Sequence, residues 1–521
     1  MSSTFHGLEV AKRALSTQQA ALYTTSHNMS NANTEGYSRQ RVNFEQVSTL
    51  TGARNTERVN SQIGSGVEAG SVERIRDKFL DVQYRNENSK MGYYESRAEA
   101  MSQMESIMNE PSEDGLSKSM DQFWQSLQDL SVNPEDSGAR SVVRQRGMAV
   151  AETFNYLSGS LEQVRGDLKG QIDVTTTEFN SIVDQINNLN KQIGDVEPHG
   201  HVPNDLYDER DRLIDSLSTI ANISVKYDDS TGQPSDIAMG KATVTLNGSG
   251  DEKGITLVDG LQGTVNHMHV SYDDDNNADN LTFYNPAELS EGQDPATVDG
   301  AQPVAASAFG SSGELKALIE MNGYVVENAA TGETTVDGYY NKMLGDLDLM
   351  AEKFVAEFNT IHNQGENLAD DDSYDFFEIG ADGRAAATMA VTQDIIDDKD
   401  KIAAAAADSG SGDGSNAVLL AEAMNNLDVG LGNKTSVKSF YQSAIGDMGV
   451  VSQEAARMAN NSSILRQQVE ENRSSVSAVS LDEEMTNMIK FQHAYNAAAR
   501  NMTAIDEMLD RVINNMGLVG R

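Results

Sequence analysis

Phe5-His-Gly-Leu-Glu-Val-Ala-Lys-Arg-Ala-Leu-Ser-Thr-Gln-Gln-Ala-Ala-Leu-Tyr-Thr-Thr-Ser-His-Asn-Met29 places a large apolar residue at every seventh position: Leu8, Leu15, Leu22 and Met29. The residues between are mostly small or polar, so the pattern predicts a helix with one narrow apolar seam, as in a coiled-coil strand. The run ends in Ser30-Asn-Ala-Asn-Thr-Glu-Gly-Tyr-Ser-Arg-Gln40. Asn33 tolerates left-handed backbone and Gly36 adopts it freely, so this segment should stop the helix and turn the chain. A single helix cannot bury such a seam. A partner is present near the other end, at 481–516. Ser480 followed by Glu483 forms a capping-box pattern. Met485, Met488, Gln492, Tyr495, Ala499 and Met502 then alternate steps of three and four, and Ile505, Leu509, Val512 and Met516 continue the stripe after one short step. The expectation is that both ends of the chain pair into one rod-like unit, with everything else inserted between them.

The same residues carry a resemblance. Ser30 to Gln40 resembles the N-terminal signature of the bacterial flagellar axial proteins, the rod, hook and hook-associated subunits. Leu481-Asp-Glu-Glu-Met-Thr-Asn-Met-Ile-Lys-Phe-Gln-His-Ala-Tyr-Asn-Ala-Ala-Ala-Arg500, then Ile505-Asp-Glu-Met-Leu509, resembles their C-terminal signature. Within that family Gly36-Tyr37-Ser38-Arg39-Gln40 resembles the hook-associated subunits of the hook–filament junction, where rod and hook subunits usually have Gly-Phe-Lys; flagellin lacks the Asn-Thr-x-Gly segment. The blocks Val72-Glu-Arg-Ile-Arg-Asp-Lys-Phe-Leu80 and Pro203-Asn-Asp-Leu-Tyr-Asp-Glu-Arg-Asp-Arg-Leu-Ile-Asp-Ser-Leu217 resemble further parts of the same subunits. The resemblance implies a structural junction protein of the flagellum. It would leave the cell unfolded through the type III export apparatus, without a cleaved signal, and act outside the cell at the hook–filament junction. The implied partners are its own copies in a tubular lattice, the hook protein, the second junction protein and an export chaperone. Asn33, Gly36, Tyr37 and Arg39 would join the two seams as the assembly interface. Another axial subunit such as a hook protein, or a secreted coiled-coil adhesin, are the alternatives.

Composition agrees with a structural role. The 521 residues suggest three or four domains, and only 38% are hydrophobic and 6% aromatic, which suits long thin helical units with small cores. With 39 basic against 80 acidic side chains the formal charge is −41, which disfavours nucleic-acid binding. The imbalance is local: residues 1–100 hold twelve basic and eleven acidic residues, whereas 225–300 hold three and fourteen. A neutral end can associate with its own kind; an acidic middle is best kept in solvent. No cysteine is present, which removes disulfides, thiolate catalysis and cysteine-bound zinc. No apolar run reaches membrane-spanning length, and Glu9, Lys12 and Arg13 interrupt any signal-peptide core. All eight prolines lie between Pro111 and Pro303, leaving both ends free for uninterrupted helices.

Along the chain, Arg41 to Val47 alternates as a short extended segment, and Gly64-Ser-Gly66 leads toward Phe79 without the strand–loop–helix context of a phosphate loop. Helical spacing resumes at Met91, Tyr94, Ala98, Met101 and Met108, and stops at Asn109-Glu-Pro111. It returns at Leu116, Met120, Phe123, Leu127 and Leu130, beside the single Trp124. The methionines are read as adaptable packing. The longest stripe is Phe154, Leu157, Leu161, Val164, Leu168, Ile172, Thr175, Phe179, Ile182, Ile186, Leu189 and Ile193, with Gly194 as its expected C-cap. The charges of Pro203–Leu217 are read as solvated helix faces flanked by Leu206, Leu213 and Leu217. His199-Gly-His201 and His267-Met-His269 lack a third ligand, so no metal is expected. From 223 to 312 Asp, Gly, Asn and Thr dominate, and 242–246, 254–258 and 267–272 read as strands; Asp273-Asp-Asp275 reads as an exposed turn, not a calcium loop. Helix returns at Gly313 to Ile319 and at Tyr340, Met343, Leu347, Met350, Phe354, Phe358 and Ile361. Asp370 to Ile379 begins a second acidic insertion. Ala417, Leu420, Met424 and Leu427 follow, and then Val437, Tyr441, Ala444, Met448, Val451, Ala455, Met458, Ser462, Leu465 and Val469; Glu471 to Val479 should be a hinge.

The expected fold is mainly α, and α+β overall: paired terminal coiled-coil helices (1–40 and 476–521), an extended connection (41–84), a long helical bundle (85–222 and 313–475, with an acidic insertion at about 366–412) and a small β-rich outer domain (223–312). No triad, metal motif or nucleotide loop supports an enzyme, and no cofactor or membrane insertion is expected.

Overall fold

A computed structural model describes residues 4–47, 66–108, 115–248, 254–327, 332–369, 372–381, 383–423, 431 and 435–515. The terminal elements are helix α1 (Thr4–Ser30), the strands β1 (Gln40–Gln46) and β2 (Val67–Arg74), which form an antiparallel pair, and helix α2 (Lys78–Met108). Next come α3 (Leu116–Val132), α4 (Ser137–Val196) and α5 (Asn204–Ile220). The β-rich part holds β3 (Ile223–Asp228), β4 (Lys241–Leu246), β5 (Ile255–Asp259), β6 (Thr264–Val265), β7 (His267–Tyr272), β8 (Ala278–Tyr284) and β9 (Gln302–Ala305). After α6 (Glu314–Asn322) come β10 (Tyr324–Glu327), β11 (Thr334–Asp337) and α7 (Tyr339–His362). The acidic insertion contributes β12 (Gly365–Glu366), β13 (Phe377–Ile379), α8 (Ala385–Thr388), β14 (Met389–Val391), α9 (Gln393–Asp397) and β15 (Ala405–Ala406). Helices α10 (Ser415–Glu422), α11 (Val437–Ser477) and α12 (Leu481–Asn515) complete the described chain.

Helix α4 is the spine. Its 60 residues would span about 90 Å. Asp136 caps its start by accepting from the Gly138 amide at 2.7 Å. Of the twelve stripe positions ten are buried, while Val164 and Leu189 are partly buried. Gly194 does not end it: the helix continues to Val196, and the Lys241 side chain lies over Gly194. The chain leaves through a 3-10 turn at Glu197–His199 and then Gly200, whose φ of +77° is the left-handed conformation that terminates it.

Helix α2 starts at Lys78, thirteen residues before the apolar spacing becomes visible. Its first half buries Asp81, Arg85, Asn88, Ser89 and Gly92, so an apolar stripe is absent there even though the face is covered. It packs chiefly on α11. The α11 stripe is buried at Val437, Tyr441, Met448, Ala455 and Ser462 but opens below, where Leu465 is exposed. The expected hinge at 471–479 is mostly helix; the break between α11 and α12 is confined to 478–480.

The expected strands occur at β4, β5 and β7, and form two sheets together with strands that the sequence spacing missed. One runs β3-β4-β5-β6. The other runs β11-β10-β8-β7 with β9 beside β8, so it extends past 312 through the β10–β11 hairpin. Both are fastened to the spine by asparagines. Asn190 donates to Ala242 O at 2.8 Å and accepts from the Ala242 amide at 2.9 Å. Asn180 does the same with Met268, at 2.9 and 2.7 Å. The acidic insertion is also less peripheral than its composition implies. It delivers Phe376 and Phe377 to a ring cluster with Phe123, Phe354 and Phe358. Buried His362 at the end of α7 donates from Nδ1 to Tyr374 O at 2.7 Å and accepts the Ala403 amide on Nε2 at 3.0 Å. Met424 and Leu427, the stop at 109–111, Gly64-Ser65, Asp370 and Met516 lie outside the described residues.

Candidate assembly interface

Helices α1 and α12 lie against each other, and α1 also rests on the β1–β2 pair. The buried line on α1 is not the heptad. It is the small and polar set Thr17, Ala21, Thr24 and Asn28, which lets the hairpin backbone come close; Thr17 Oγ1 donates to Val67 O at 3.2 Å. Leu8, Leu15, Leu22 and Met29 are half-buried. On α12, Met488, Tyr495, Met502, Ile505 and Leu509 are half-buried, and Ile505 touches α1 at Gly7. Met485, Gln492 and Val512 depart from the expected stripe: all three are exposed, with Met485 and Val512 at 47% and 45%. A straight helix drifts away from a strict three-four repeat, which carries such positions off the contact line. Phe491, absent from the expected stripe, packs edge-on against Phe44 of β1 with ring centroids 5.9 Å apart.

The signature loop closes this unit onto the rest of the molecule. Tyr37 donates its hydroxyl hydrogen to Asn28 Oδ1 at 2.8 Å and stands 2.9 Å from His27 Nδ1. Asn28, buried, also donates to Gln40 O at 2.8 Å and accepts the Gln40 amide at 3.0 Å, so it braces the chain where it turns back. Gly36 has φ +79° and lies against the Arg212 side chain of α5, a position where other residues would be strained. Asn33 is exposed. Arg39 forms a fork–fork pair with Glu483 at 3.0 and 2.7 Å and donates from Nε to buried Glu484 at 2.8 Å. Its amide donates to Ser477 O at 2.9 Å, so one residue ties the loop to the end of α11 and the start of α12. Glu483 is therefore turned toward Arg39. Burial opposes the charge on Arg39, but the hydrogen bonds to Glu483 and Glu484 hold its pKa above the ordinary value. Burial, with Asp208, Asp205 and Glu484 nearby, pushes the Tyr37 hydroxyl well up, keeping it a neutral donor.

Behind the loop stands a buried ionic network that sequence spacing missed. The Ser38 amide donates to Asp208 Oδ2 at 3.1 Å. Arg74 bridges Asp208 and Asp211 at 2.7 and 3.1 Å; Arg76 reaches Asp81 at 2.8 Å and Asp211 at 3.4 Å; Arg85 and Arg473 both reach Asp215, the former at 2.8 Å. The reading of 203–217 as solvated faces is thus overturned for Tyr207, Asp208, Arg210 and Asp211, which are all buried. Alternating charge reads as a wet face unless complementary charges come from elsewhere, and here β2, α2 and α11 supply them. Burial would raise the pKa of Asp211, but Arg76, Arg74, Arg85 and Arg210 outweigh it and hold the carboxyl far below the usual range. At Asp208 burial wins over Arg74 and the pKa is raised. The signal that could have found the network is the block resemblance of 72–80 and 203–217, whose charges pair with each other.

The arrangement joins the signature loop to α5 and to the ends of α11 and α12. Among the described residues no group of three or more His, Asp or Glu is placed to hold a metal ion, and none of the described helices is long and apolar enough to cross a membrane. Comparison with known proteins agrees with this character. Residues 101–377 match the family described as "Flagellar hook-associated protein FlgK helical domain", residues 471–516 "Flagellar basal body rod FlgEFG protein C-terminal", and residues 8–37 "Flagella basal body rod protein". The chain is 43% identical to flagellar hook-associated protein 1 of Bacillus subtilis, over 100% of each chain. It is 26% identical to that of Escherichia coli, over 97% of this chain and 98% of the other. In fold it is similar to the flagellar hook junction protein FlgK from Burkholderia pseudomallei, with a TM-score of 0.57 and 14% identity over 77% of this chain and 100% of that one. With a full-length relative at this identity and its helical region matched by the family's own pattern, the chain belongs to the flagellar hook-associated protein 1 family.

Proposed function

We propose that this protein is a structural subunit joining hook to filament, held in a tubular lattice by its paired ends. The observation that carries the reading is the half-covered α1–α12 unit: Leu8, Leu15, Leu22 and Met29 remain half-exposed, while Phe5, Met485, Ile489, Met508 and Val512 are exposed. Apolar surface on this scale marks a contact surface, and neighbouring copies in an axial lattice would cover it. The two seams, with Asn33, Gly36, Tyr37 and Arg39, form the assembly interface. Segments 1–40 and 476–521 act as the inner unit, 85–222 and 313–475 as the bundle around it, and 223–312 as the outer part. The chain leaves the cell unfolded through the flagellar type III apparatus with an export chaperone, and meets hook protein on one side and the second junction protein on the other. The ends complete their ordering against neighbours. Its role is architectural, without catalysis.

Gold labelling of isolated hook–filament complexes tests this. A single band of label between hook and filament is expected; label along the hook shaft or on the cell body refutes the assignment.

A further inference from the structure

The chain has no cysteine, so the thioethers of its methionines are its only sulfur. Their exposure is uneven. Met101, Met104, Met120, Met321, Met350 and Met389 lie in the core, each 2% exposed or less. Among the described residues only Met485 and Met508 are exposed, at 47% and 59%, and both stand on α12. Met488 and Met502, between them on the same helix, are half-buried. A peroxide oxidises a thioether where it can reach the sulfur, and the sulfoxide is polar where the side chain was apolar and adaptable. The reachable sulfur of this chain therefore sits on the helix that carries its open apolar surface. Met485 lies one turn from exposed Leu481 and Ile489, and Met508 one turn from exposed Val512. A sulfoxide covered there without a donor costs free energy that a thioether does not. The core sulfurs are out of reach, so the fold should survive the reaction.

We propose that Met485 and Met508 form an oxidation-sensitive pair: as thioethers they permit incorporation into the lattice, and as sulfoxides, formed by hydrogen peroxide, they block it. This rests on the reading of the α1–α12 unit as the assembly surface. In each reaction the sulfur lone pair attacks one peroxide oxygen and the O–O bond breaks. A sulfur–oxygen bond forms, and the other oxygen leaves as water with the proton of the oxygen transferred. The sulfur gives up two electrons and the peroxide takes them. Neighbouring copies that cover the surface also shield both sulfurs, so the susceptible form is the chain before assembly.

Peptide mass spectrometry of the full-length protein after hydrogen peroxide treatment tests the selectivity. Met485 and Met508 should each gain an oxygen well before Met101, Met104 or Met350, with Tm and helical content unchanged. Incorporation onto isolated hooks lacking this subunit tests the consequence. Treated protein should be incorporated about tenfold less than untreated protein, and methionine sulfoxide reductases with a thiol reductant should restore it. In the double variant Met485→Leu with Met508→Leu, peroxide should not lower incorporation from that variant's own untreated level. Core methionines oxidised as fast as those of α12, equal incorporation before and after treatment, or an equal loss in the double variant would overturn the proposal. An untreated parent that fails to dock on hooks would instead overturn the assembly reading, and the proposal with it.

Discussion

At the scale of single residues, two buried titratable groups give opposite accounts of acid. Asp211 is held ionised by its arginines, so its folded pKa is lowered. Its contribution is present above the unfolded carboxylate value of about 4 and is lost as pH falls below that. Asp211→Asn should cost about 3–5 kcal/mol at neutral pH, because it leaves buried guanidiniums unmatched. The variant's Tm should also fall less steeply than that of the parent below pH 4. His362 is neutral because burial and the Ala403 amide at Nε2 leave no place for a second proton; its pKa is pulled down to about 4. The unfolded chain takes up that proton near pH 6.5, so stability falls as pH drops from there toward 4, by about 3 kcal/mol in full. Circular-dichroism melts across that window should show the loss in the parent and a much flatter profile in His362→Gln. The turn residues Gly36, Tyr37 and Arg39 were legible in the sequence, because a motif names its residues. Their partners Asn28, Asp208 and Glu484 were not, because a buried polar group has no periodicity and is recognised only once its counter-charge is in place.

At the scale of elements, the helices carried by apolar stripes could be read from spacing: α3 buries every residue expected of it, and α4, α7 and the upper part of α11 bury most of theirs. Spacing failed where a helix buries polar side chains, as in the first half of α2. It also failed where the buried line consists of alanine and threonine, as on α1. The α1 heptad is real as a pattern, but in the single chain it is only half-covered. The energetic consequence can be measured. Burying a leucine fully and then cutting it to alanine costs about 2–5 kcal/mol. Leu15→Ala with Leu22→Ala should therefore leave the monomer's Tm almost unchanged and exact its cost on assembly, with hooks left uncapped and filament subunits shed into the medium. Ile505→Ala with Leu509→Ala should do the same from the other helix. Early melting of either double mutant would mean that the seam is ordinary core, and normal junctions would mean that it holds nothing.

At the scale of the whole molecule, the strong acidity of 225–300 marks a part best kept in solvent, yet that part is fastened to the spine. Ala242 and Met268 are each bound twice by an asparagine of α4, and the strands cover the buried Phe179, Ile182 and Ile186 end of that helix. Replacing 225–310 by a short linker should strip this half of the spine, lower Tm and split one cooperative unfolding transition into two. An unchanged, single transition would show that the helices stand alone.

The Arg39–Glu484 hydrogen bond spans 445 positions of sequence. Like the α1–α12 contacts around it, this bond closes a ring of nearly the whole described chain, and the entropy of closing such a ring grows only slowly with its size. The order of events matters more than that energy. A ribosome makes Arg39 near the beginning and Glu484 near the end, so the first-made turn waits for almost the last-made helix. A product that stops before Glu484 keeps the loop's bonds to Asn28 and Asp208 but lacks its bonds to α12. The pairing of the two ends thus depends on a chain that reaches past Glu484.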